Sequence, residues 1–254
     1  MNRIVSLVPS ITELLCDLGL AGQIVGRTGF CIHPREVVRR IPKIGGTKSV
    51  DVEKVRVLEP THVIVNVDEN RKETADALAA FVPKVIITHP LGPLDNLALY
   101  RQIGDAFGRE PEAEALCARF QTAYDVATSR SHEKRNVLYL IWKDPWMTVS
   151  RDTYISRTLA LFGLDTAPPT AAVRYPELTL NEPWLASVEW VLLSTEPYAF
   201  RERHLQEISA RLGKPAVLID AEMTSWYGSR AIRGLDYLAA FTARLQPSSP
   251  PGAA

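Results

Sequence analysis

The feature that most constrains the fold is that the two halves of the chain repeat one order of elements. The first half contains the strand-like runs RIVSL, HVIVN and KVIIT, and the second contains NVLYLIW, WVLLS and AVLID in the same order. Helical patterns separate these runs, and strands that alternate with helices form parallel sheets in βαβ units. The sequence therefore predicts an α/β fold with two similar lobes.

Short local signals support this repeat. The segment DVEKVRVLEPTHVIVN from Asp51 corresponds to TLNEPWLASVEWVLLS from Thr179, each being a capped helix that leads into a buried strand. Asp51 and Thr179 are the predicted N-caps, and Glu182 completes a capping box with Thr179. Gly19 and Gly163 follow the first helix of each half, where a helix end accepts a left-handed residue.

A long helical pattern separates the halves. Apolar residues recur along one helix face at Ala113, Leu116, Cys117, Phe120, Tyr124 and Ala127. A helix over 111–134 would be a rod of roughly 36 Å, long enough to cross both lobes. We therefore predict a first lobe at 1–110, a backbone helix at 111–134, a second lobe at 135–246 and a disordered tail at 247–254.

Composition excludes two classes of partner. The 29 Lys and Arg residues balance 29 Asp and Glu residues, so no general field attracts nucleic acid or an anionic membrane. No apolar run approaches the roughly 18 residues of a membrane span. The 254 residues are 46% hydrophobic, enough for a large core. The sequence therefore predicts a globular monomer that binds no nucleic acid and does not span a membrane.

The N-terminal segment bears on localisation. Pro9, Glu13 and Asp17 interrupt what would be the apolar region of a signal peptide. The three cysteines are odd in number and lack CxxC spacing, which favours reduced thiols. These features predict a cytoplasmic protein, with a periplasmic location as the alternative if the start is truncated.

Aromatic residues concentrate in the loops of the second half. Open α/β sheets bind ligands outside the carboxyl ends of their strands, where these loops are predicted to lie. The rings are Trp142, Trp146, Tyr175, Tyr198, Phe200, Trp226 and Tyr227. Several could instead be ordinary core at the ends of a lobe. Glu196, Asp220, Glu222 and Arg230 could supply the few polar groups that orient a ligand.

Motifs along nearly the whole chain carry a resemblance to a known family. They are RIVSLVPSITELLCDLGL, VGRTGFCIHP, IPKIGG, LEPTHVIVN, YPELTL and SWYGSR, in that order. The chain resembles the class III substrate-binding proteins of cobalamin and iron-siderophore ABC importers, and is most similar to the cobalamin-binding branch. The resemblance implies two Rossmann-like lobes joined by a backbone helix, a ligand held between them, an ABC permease as partner and no catalysis.

The resemblance and the loop positions together give a predicted ligand site. Cobalamin is a broad amphipathic disc with amides around its edge, which suits an aromatic wall with scattered polar groups. Relatives often carry an aromatic residue where this chain has Asn66. The predicted ligand-binding residues are Arg27, Phe30, Cys31, His33, Asn66, Trp142, Trp146, Tyr175, Glu196, Tyr198, Trp226, Tyr227 and Arg230.

Importer relatives also present one carboxylate on each lobe to permease arginines. The nearest candidates are Glu73 and Glu182, although Lys72 and Asn181 lie at least as close by offset. Glu73 also fits a first-turn helix charge after an Asn70 cap. Without this docking, the chain would be a cytosolic binder that uses an importer fold.

Some of these residues also suit other ligands. His33 and His89 with Asp220 or Glu222 could hold a zinc-like ion, or either histidine could coordinate the cobalt of a corrinoid. A ferric siderophore or haem would favour clustered arginines, for which Arg27, Arg174 and Arg230 are candidates.

Catalytic sequence signatures are missing. The chain has no GxGxxG after the first strand, no P-loop, no GxSxG and no HExxH. An enzyme of corrinoid salvage or modification, with Cys31 as nucleophile and His33 as base, is the alternative. We predict a non-catalytic binder of cobalamin or a related corrinoid, with ferric siderophore, haem or zinc as alternative ligands.

Overall fold

The computed structural model of the chain describes residues 2–245 and divides them into two compact units. Unit 1 runs through Gln121 and takes in Trp226–Ala231, whereas unit 2 contains Thr122–Ser225 and the residues from Ile232 onward. The predicted tail at 247–254 lies outside the described residues. The chain therefore enters unit 1 a second time near its end, which the predicted division at 1–110 and 135–246 does not include.

Unit 1 is built on a four-stranded parallel sheet. Its strands are β1 (Ile4–Ser6), β2 (Ile24–Arg27), β3 (His62–Asn66) and β4 (Lys84–Thr88), in the order β2-β1-β3-β4. The connecting α-helices are α1 (Pro9–Asp17), α2 (Arg35–Val38), α3 (Val52–Val57), α4 (Lys72–Ala79) and α5 (Asp95–Phe107), with a 3-10 turn at Ala21–Gln23. Both sheet faces are covered, so β1 and β3 are nearly continuous buried runs.

Helix α6 (Glu110–Thr128) contains the first boundary between the units, after Gln121. It ends six residues before the predicted end at 134. The Thr128 hydroxyl donates to the Tyr124 carbonyl at 2.9 Å, and the Ser129 hydroxyl donates to the Val126 carbonyl at 2.9 Å. Because these side chains bind the last carbonyls of the helix, they compete with further helical hydrogen bonds.

Unit 2 contains a second four-stranded parallel sheet and a two-stranded ribbon. The strands are β5 (Arg135–Leu140), β6 (Trp146–Met147), β7 (Leu164–Thr166), β8 (Glu177–Leu178), β9 (Trp190–Ser194) and β10 (Ala216–Ile219). The parallel order is β10-β9-β5-β7, and β6 pairs antiparallel with β8. The helices are α7 (Tyr154–Ala160), α8 (Glu202–Leu212), α9 (Ala221–Ser225) and α10 (Arg230–Thr242), with a 3-10 helix at Pro183–Ser187.

The sheets confirm the predicted α/β fold and its internal repeat. The two parallel sheets, read from their edge strands β2 and β7, have the orders β2-β1-β3-β4 and β7-β5-β9-β10, which are the same topology. Helix α4 joins β3 to β4 as α8 joins β9 to β10. The strand runs HVIVN, KVIIT and WVLLS match β3, β4 and β9 residue for residue. Strands β2 and β7 were missed: their sequences IVGR and LDT contain polar residues or glycine and form no continuous apolar run.

Local signals were right at some helix ends and wrong at others. The Asp51 carboxylate accepts from the Lys54 N–H at 3.1 Å, and Gly19 and Gly163 share a φ of 75°, as predicted. Thr179 is not an N-cap, because the 3-10 helix begins only at Pro183 and its capping residue is Glu182. The Asn70 side chain accepts from the Asn66 N–H instead of capping α4.

Within residues 2–245, the structure has no helix that combines the length and the apolar composition needed to cross a membrane.

Candidate ligand-binding site

Four segments at the carboxyl end of the unit 1 sheet form one connected surface, which we call rim 1. It comprises residues 29–33 after β2, the turn 45–49, and residues 66–69 with His89 after β3 and β4. The Gly29 N–H donates to the Gly45 carbonyl at 2.8 Å, and the Lys48 ammonium donates to the Asp68 carbonyl at 2.6 Å. Rim 1 is therefore held together by hydrogen bonds between its loops.

One end of rim 1 is apolar and exposed. Phe30 is 62% exposed and Ile32 is 45% exposed, although both are large hydrophobic residues. The Phe30 ring lies over Gly46, where an added Cβ would approach the ring to 3.4 Å. A glycine at this position therefore lets the ring lie close to the turn while its other surface stays accessible.

Cys31 lies between these exposed residues but points into unit 1. Its thiol is fully buried, 3.1 Å from the Thr12 hydroxyl and 3.2 Å from the Thr28 hydroxyl. Burial raises the pKa of the Cys31 thiol, so it stays protonated near neutral pH. Cys31 thus anchors the loop, and the alternative in which it acts as a nucleophile is wrong.

The other end of rim 1 is polar. The Asp68 carboxylate lies 3.6 Å from the His89 imidazole. Asn66 is only 3% exposed; its amide donates to the Thr88 carbonyl at 3.0 Å and accepts from the Asp68 N–H at 2.8 Å. Asn66 therefore shapes the loop after β3 from within, and its predicted role as a ligand contact is not supported by its position.

The segment Trp226–Arg230 packs within unit 1, whereas the sequence interpretation placed it in the second lobe. The Arg230 guanidinium binds the Glu13 carboxylate through two hydrogen bonds of 2.7 and 2.9 Å, with both side chains buried. It also lies 4.8 Å from the centre of the Trp226 ring. This arrangement explains why Arg230 follows Trp226 so closely, because the guanidinium pairs with a carboxylate and covers the indole.

Tyr227 and Trp226 approach rim 1 from inside. The Tyr227 hydroxyl donates to the Glu69 carboxylate at 2.5 Å, and the Trp226 ring meets the His33 ring edge-on at 5.6 Å. Burial, and after it the negative charge of Glu69, raises the pKa of Tyr227. Both aromatic residues are 7% exposed. They support the rim loops, with little surface available to a ligand.

Arginines expected to orient a ligand have structural partners. Arg27 is 5% exposed and donates to the Val38 and Thr28 carbonyls at 2.8 and 2.9 Å. Arg230 is held by Glu13 as described. Arg174, in unit 2, is half-buried and donates to the Asp152 carbonyl at 3.3 Å. Two of the three candidate arginines are therefore buried inside unit 1.

A second rim, rim 2, follows the carboxyl ends of β5 and β9 in unit 2. Trp142 is 38% exposed and meets the half-buried Tyr198 edge-on at 5.6 Å. Tyr198 contacts Phe200, which stacks on Trp146 at 6.2 Å. Trp146 is 9% exposed and belongs to the core of unit 2, so it backs the rim.

Two further predicted residues also lie in loops of unit 2. Glu196 is half-buried in the loop after β9, and Tyr175 is half-buried just before β8. Trp142 is thus the most exposed of the predicted aromatic residues in unit 2.

The predicted metal site is not formed. Among residues 2–245 no three His, Cys, Asp or Glu side chains are grouped so that they could hold a metal ion. His33 packs on Trp226, and His89 lies beside Asp68. His33, His89 and Glu222 therefore find no support as ligands of a zinc-like ion.

The predicted docking carboxylates do not occupy equivalent places. Glu73 is exposed in the first turn of α4, whereas Glu182 caps the 3-10 helix before β9. The position equivalent to Glu73 is the first turn of α8, which carries the exposed Glu202. Sequence reasoning missed Glu202 because it aligned the halves through the segment before β3 and β9. The signal that could have found Glu202 is its position eight residues after the end of β9, since Glu73 lies seven residues after the end of β3.

Comparison with known proteins gives the family. A profile of the periplasmic binding protein family matches residues 4–211. The chain belongs to the periplasmic binding protein family. Its two sheets have the class III fold of that family, and members of the family bind solutes without catalysis.

Three relatives are compared with this periplasmic binding protein by sequence identity and by coverage. An uncharacterized ABC transporter substrate-binding lipoprotein, YvrC of Bacillus subtilis, is 29% identical over 62% of this chain and 52% of its own length. The chain thus spans about half of that relative. The vitamin B12-binding protein of Pectobacterium carotovorum is 19% identical over 98% of this chain and 91% of its own.

The third relative is a solved structure. The periplasmic heme-binding protein RhuT from Roseiflexus sp. RS-1, in apo form, is 25% identical and superposes with a TM-score of 0.81. The match covers 96% of this periplasmic binding protein and 99% of RhuT.

Proposed function

We propose that the protein binds cobalamin or a related corrinoid as the solute-binding component of an ABC importer. The observation that carries this proposal is the burial of Arg27 and Arg230. Anionic ligands such as haem or ferric siderophores are recognised through accessible arginines. Here the two guanidiniums are engaged with carbonyls and with Glu13. A ligand whose edge carries neutral amides does not need them.

The exposed parts of the rims support the same ligand. Phe30 and Ile32 on rim 1 and Trp142 on rim 2 offer apolar surface. Lys48, Asp68 and His89 add hydrogen-bonding groups at the polar end of rim 1. The combination on rim 1 by itself fits an amphipathic macrocycle, for which a mostly apolar contact surface with a few polar groups gives affinity and orientation.

Haem is the second candidate. It is favoured by the likeness to RhuT, which is 25% identical over 96% of this chain and 99% of RhuT. His33 in rim 1 is half-buried beside Trp226, and an imidazole is a suitable axial ligand for iron or cobalt.

Titration of the purified protein decides between these ligands. Cyanocobalamin, cobinamide, haemin, a ferric siderophore and Zn²⁺ would each be followed by absorbance and by the shift in melting temperature. We expect cobalamin and cobinamide to raise the melting temperature in a concentration-dependent way. If only haemin raises the melting temperature, and His33→Ala abolishes this increase, the ligand is haem and not a corrinoid.

The rims can then be tested through their exposed rings. Phe30→Ala and Trp142→Ala should each weaken corrinoid binding about tenfold or more, because central aromatic contacts carry much of the binding energy. Val57→Ala is the control, since Val57 is 81% exposed on α3 and belongs to neither rim. Unchanged affinity in both ring variants would refute this placement of the site.

Partner and location follow from the family. The named relatives are a lipoprotein, a vitamin B12-binding protein and a periplasmic protein, so the cytoplasmic prediction finds no support and we propose the periplasmic alternative. The proposed partner is an ABC permease that contacts Glu73 and Glu202, the exposed first-turn carboxylates of α4 and α8.

Charge reversal tests this docking. Glu73→Arg and Glu202→Arg should each reduce ligand-stimulated ATP hydrolysis by the reconstituted importer, while ligand affinity in solution stays unchanged. Glu182→Arg serves as the comparison and should have the smaller effect. A larger loss of ATP hydrolysis in Glu182→Arg than in Glu73→Arg and Glu202→Arg would identify Glu182 as the docking residue.

A further inference from the structure

The loop after β3 exposes an apolar side chain among polar residues. Val67 is 53% exposed, whereas Asn66 before it is 3% exposed and the residues after it, Asp68–Asn70, are polar. The sequence interpretation passed over Val67, because relatives often carry an aromatic residue at the position of Asn66. Since Asn66 is buried, Val67 is the side chain with which this loop can contact an apolar surface of a ligand.

Hydrogen bonds hold the backbone around Val67 in one arrangement. The Val67 N–H donates to the Thr88 carbonyl at 3.2 Å. The side-chain carbonyl of Asn66 accepts from the Asp68 and Glu69 N–H groups at 2.8 and 3.2 Å. A loop that is already ordered loses little conformational entropy when a ligand binds, and this favours affinity.

The turn 45–49 contacts both this loop and the loop that carries Phe30. The Asn70 amide donates to the Thr47 carbonyl at 3.0 Å. The same turn lies under the Phe30 ring. Val67 and Phe30 are therefore exposed apolar residues on two loops that contact one turn of rim 1.

Tyr227 holds the loop after β3 from inside unit 1. Its hydroxyl donates to the Glu69 carboxylate at 2.5 Å, and the residue is 7% exposed. Glu69 lies two residues after Val67, so this hydrogen bond restrains the backbone that carries the valine. Tyr227 can thus affect a ligand at rim 1 while having little surface for contact with it.

We propose that Val67 is a ligand-contact residue of rim 1 and that Tyr227 is a positioning residue, which acts on the ligand through Glu69. Both roles rest on the proposed binding of a corrinoid at rim 1. Val67 adds a third exposed apolar side chain to those of Phe30 and Ile32, so the apolar contact surface extends to the loop after β3. Such a surface suits the apolar face of a macrocycle.

Titration of the full-length protein with cyanocobalamin tests the contact. Val67→Ala removes two methyl groups and should weaken binding about threefold to tenfold, because less apolar surface is buried. Val126→Ala is the matched control and should leave the affinity unchanged, since Val126 is 55% exposed on α6 and belongs to neither rim.

Nuclear magnetic resonance spectra of the methyl groups locate the contact directly. The Val67 signals, assigned with Val67→Ala, should shift as cyanocobalamin saturates the protein, and the Val126 signals should not. Wild-type affinity in Val67→Ala, or Val67 signals that do not shift, would overturn the contact.

Double variants test the positioning role. Tyr227→Phe removes only the hydroxyl and should weaken cyanocobalamin binding about threefold or more, because the loop loses a restraint. In the Tyr227→Phe background, Val67→Ala should cost less than about twofold while Phe30→Ala keeps its full effect, since residues that act together give non-additive changes. An undiminished effect of Val67→Ala in that background, or equal reduction of both effects, would overturn the role of Tyr227.

The corrinoid site itself can fail separately. If Phe30→Ala weakens cyanocobalamin binding and Val67→Ala does not, rim 1 remains the site and only the roles of Val67 and Tyr227 are wrong. Failure of cyanocobalamin to bind the wild-type protein would overturn both the corrinoid site and these roles.

Discussion

Arg230 illustrates how a residue's role depends on what lies across from it. The sequence places it after two aromatic residues and suggests a ligand contact, yet its guanidinium binds Glu13, which is far away along the chain. Two buried opposite charges stabilise each other only while both are present. Arg230 is therefore a structural residue of unit 1.

Removal of one member of this pair should destabilise the protein strongly. We expect Arg230→Ala to lower the free energy of unfolding by about 3–5 kcal/mol, because it removes the guanidinium that pairs with the buried Glu13 carboxylate. Urea denaturation measures this change. Lys72→Ala, which breaks the exposed Lys72–Asp76 pair, is the control and should have no measurable effect. Similar losses in the two variants would show that burial of the pair is unimportant.

His204 gives the protein a pH dependence. It is buried, and its Nδ1 accepts from the Arg201 N–H at 2.9 Å, which requires the neutral ring. Burial, followed by the charges of Arg203 and Lys143, lowers the pKa of His204. Below the ordinary histidine pKa of about 6.5, the unfolded chain therefore binds the proton before the folded protein does.

Stability should accordingly fall as the pH drops from about 6.5 toward the lowered pKa of His204. Urea unfolding at a series of pH values measures the slope, and His204→Gln should make it shallower. His62, whose pKa burial also lowers, would keep part of the slope in that variant. A slope that His204→Gln leaves unchanged would rule out His204 as its source.

At the scale of elements, equivalent positions in the two units share a backbone conformation but differ in their surroundings. Gly19 and Gly163 both follow the first helix of their half with a φ of 75°. An added Cβ at Gly19 would meet nothing within 4 Å, whereas one at Gly163 would lie 2.4 Å from the Glu133 carbonyl oxygen. The sequence predicts the left-handed turn at both places, but the neighbour of Gly163 comes from another segment.

This difference predicts unequal costs for the same substitution. Gly19→Ala should lower the free energy of unfolding by about 1 kcal/mol, the cost of a left-handed alanine. Gly163→Ala should cost about 2–4 kcal/mol, since the overlap with a backbone oxygen adds to that strain. Thermal and urea unfolding of the two variants make the comparison. Equal costs would mean that the chain at Glu133 moves away freely.

The helices show how far pattern reading reaches. Apolar spacing predicted α6, and residue type predicted the caps at Asp51, Gly19 and Gly163, because these signals are local. It failed at Thr179, where Pro183 sets the start of the helix, and at the end of α6, where Thr128 and Ser129 bind the last carbonyls. Such ends are decided by competition between nearby hydrogen bonds, which periodicity does not register.

At the scale of the molecule, the segment Trp226–Ala231 completes unit 1 from a distant part of the sequence. The Asn96 side chain accepts from the Gly228 N–H at 2.7 Å, and the Tyr100 hydroxyl donates to the Gly228 carbonyl at 2.9 Å. With the Glu13–Arg230 pair, these contacts close unit 1 around residues that the first half does not contain.

A fragment of residues 1–121 should therefore be incompletely folded. Without the segment, Glu13 loses the Arg230 guanidinium, and Asn96 and Tyr100 lose their hydrogen bonds to Gly228. The loss of hydrogen bonds to buried polar groups is costly. Far-UV circular dichroism and amide exchange compare the fragment with the intact protein, in which the same residues provide the reference. Native-like protection in the fragment would show that unit 1 does not need the returning segment.

The sequence by itself determined the α/β class, the duplicated order of strands and helices, and the family. Alternating strand and helix patterns and the capping residues at helix ends are local signals, so they can be read along the chain. It also placed Phe30 and Trp142 in loops where a ligand could reach them. Only the tertiary structure decided which polar residues are available there. Cys31 lies in a loop, and Arg27, Asn66 and Arg230 lie at the ends of β2, β3 and α10, yet each is buried against partners from other segments. Exposure depends on those distant partners, so spacing along the chain cannot reveal it.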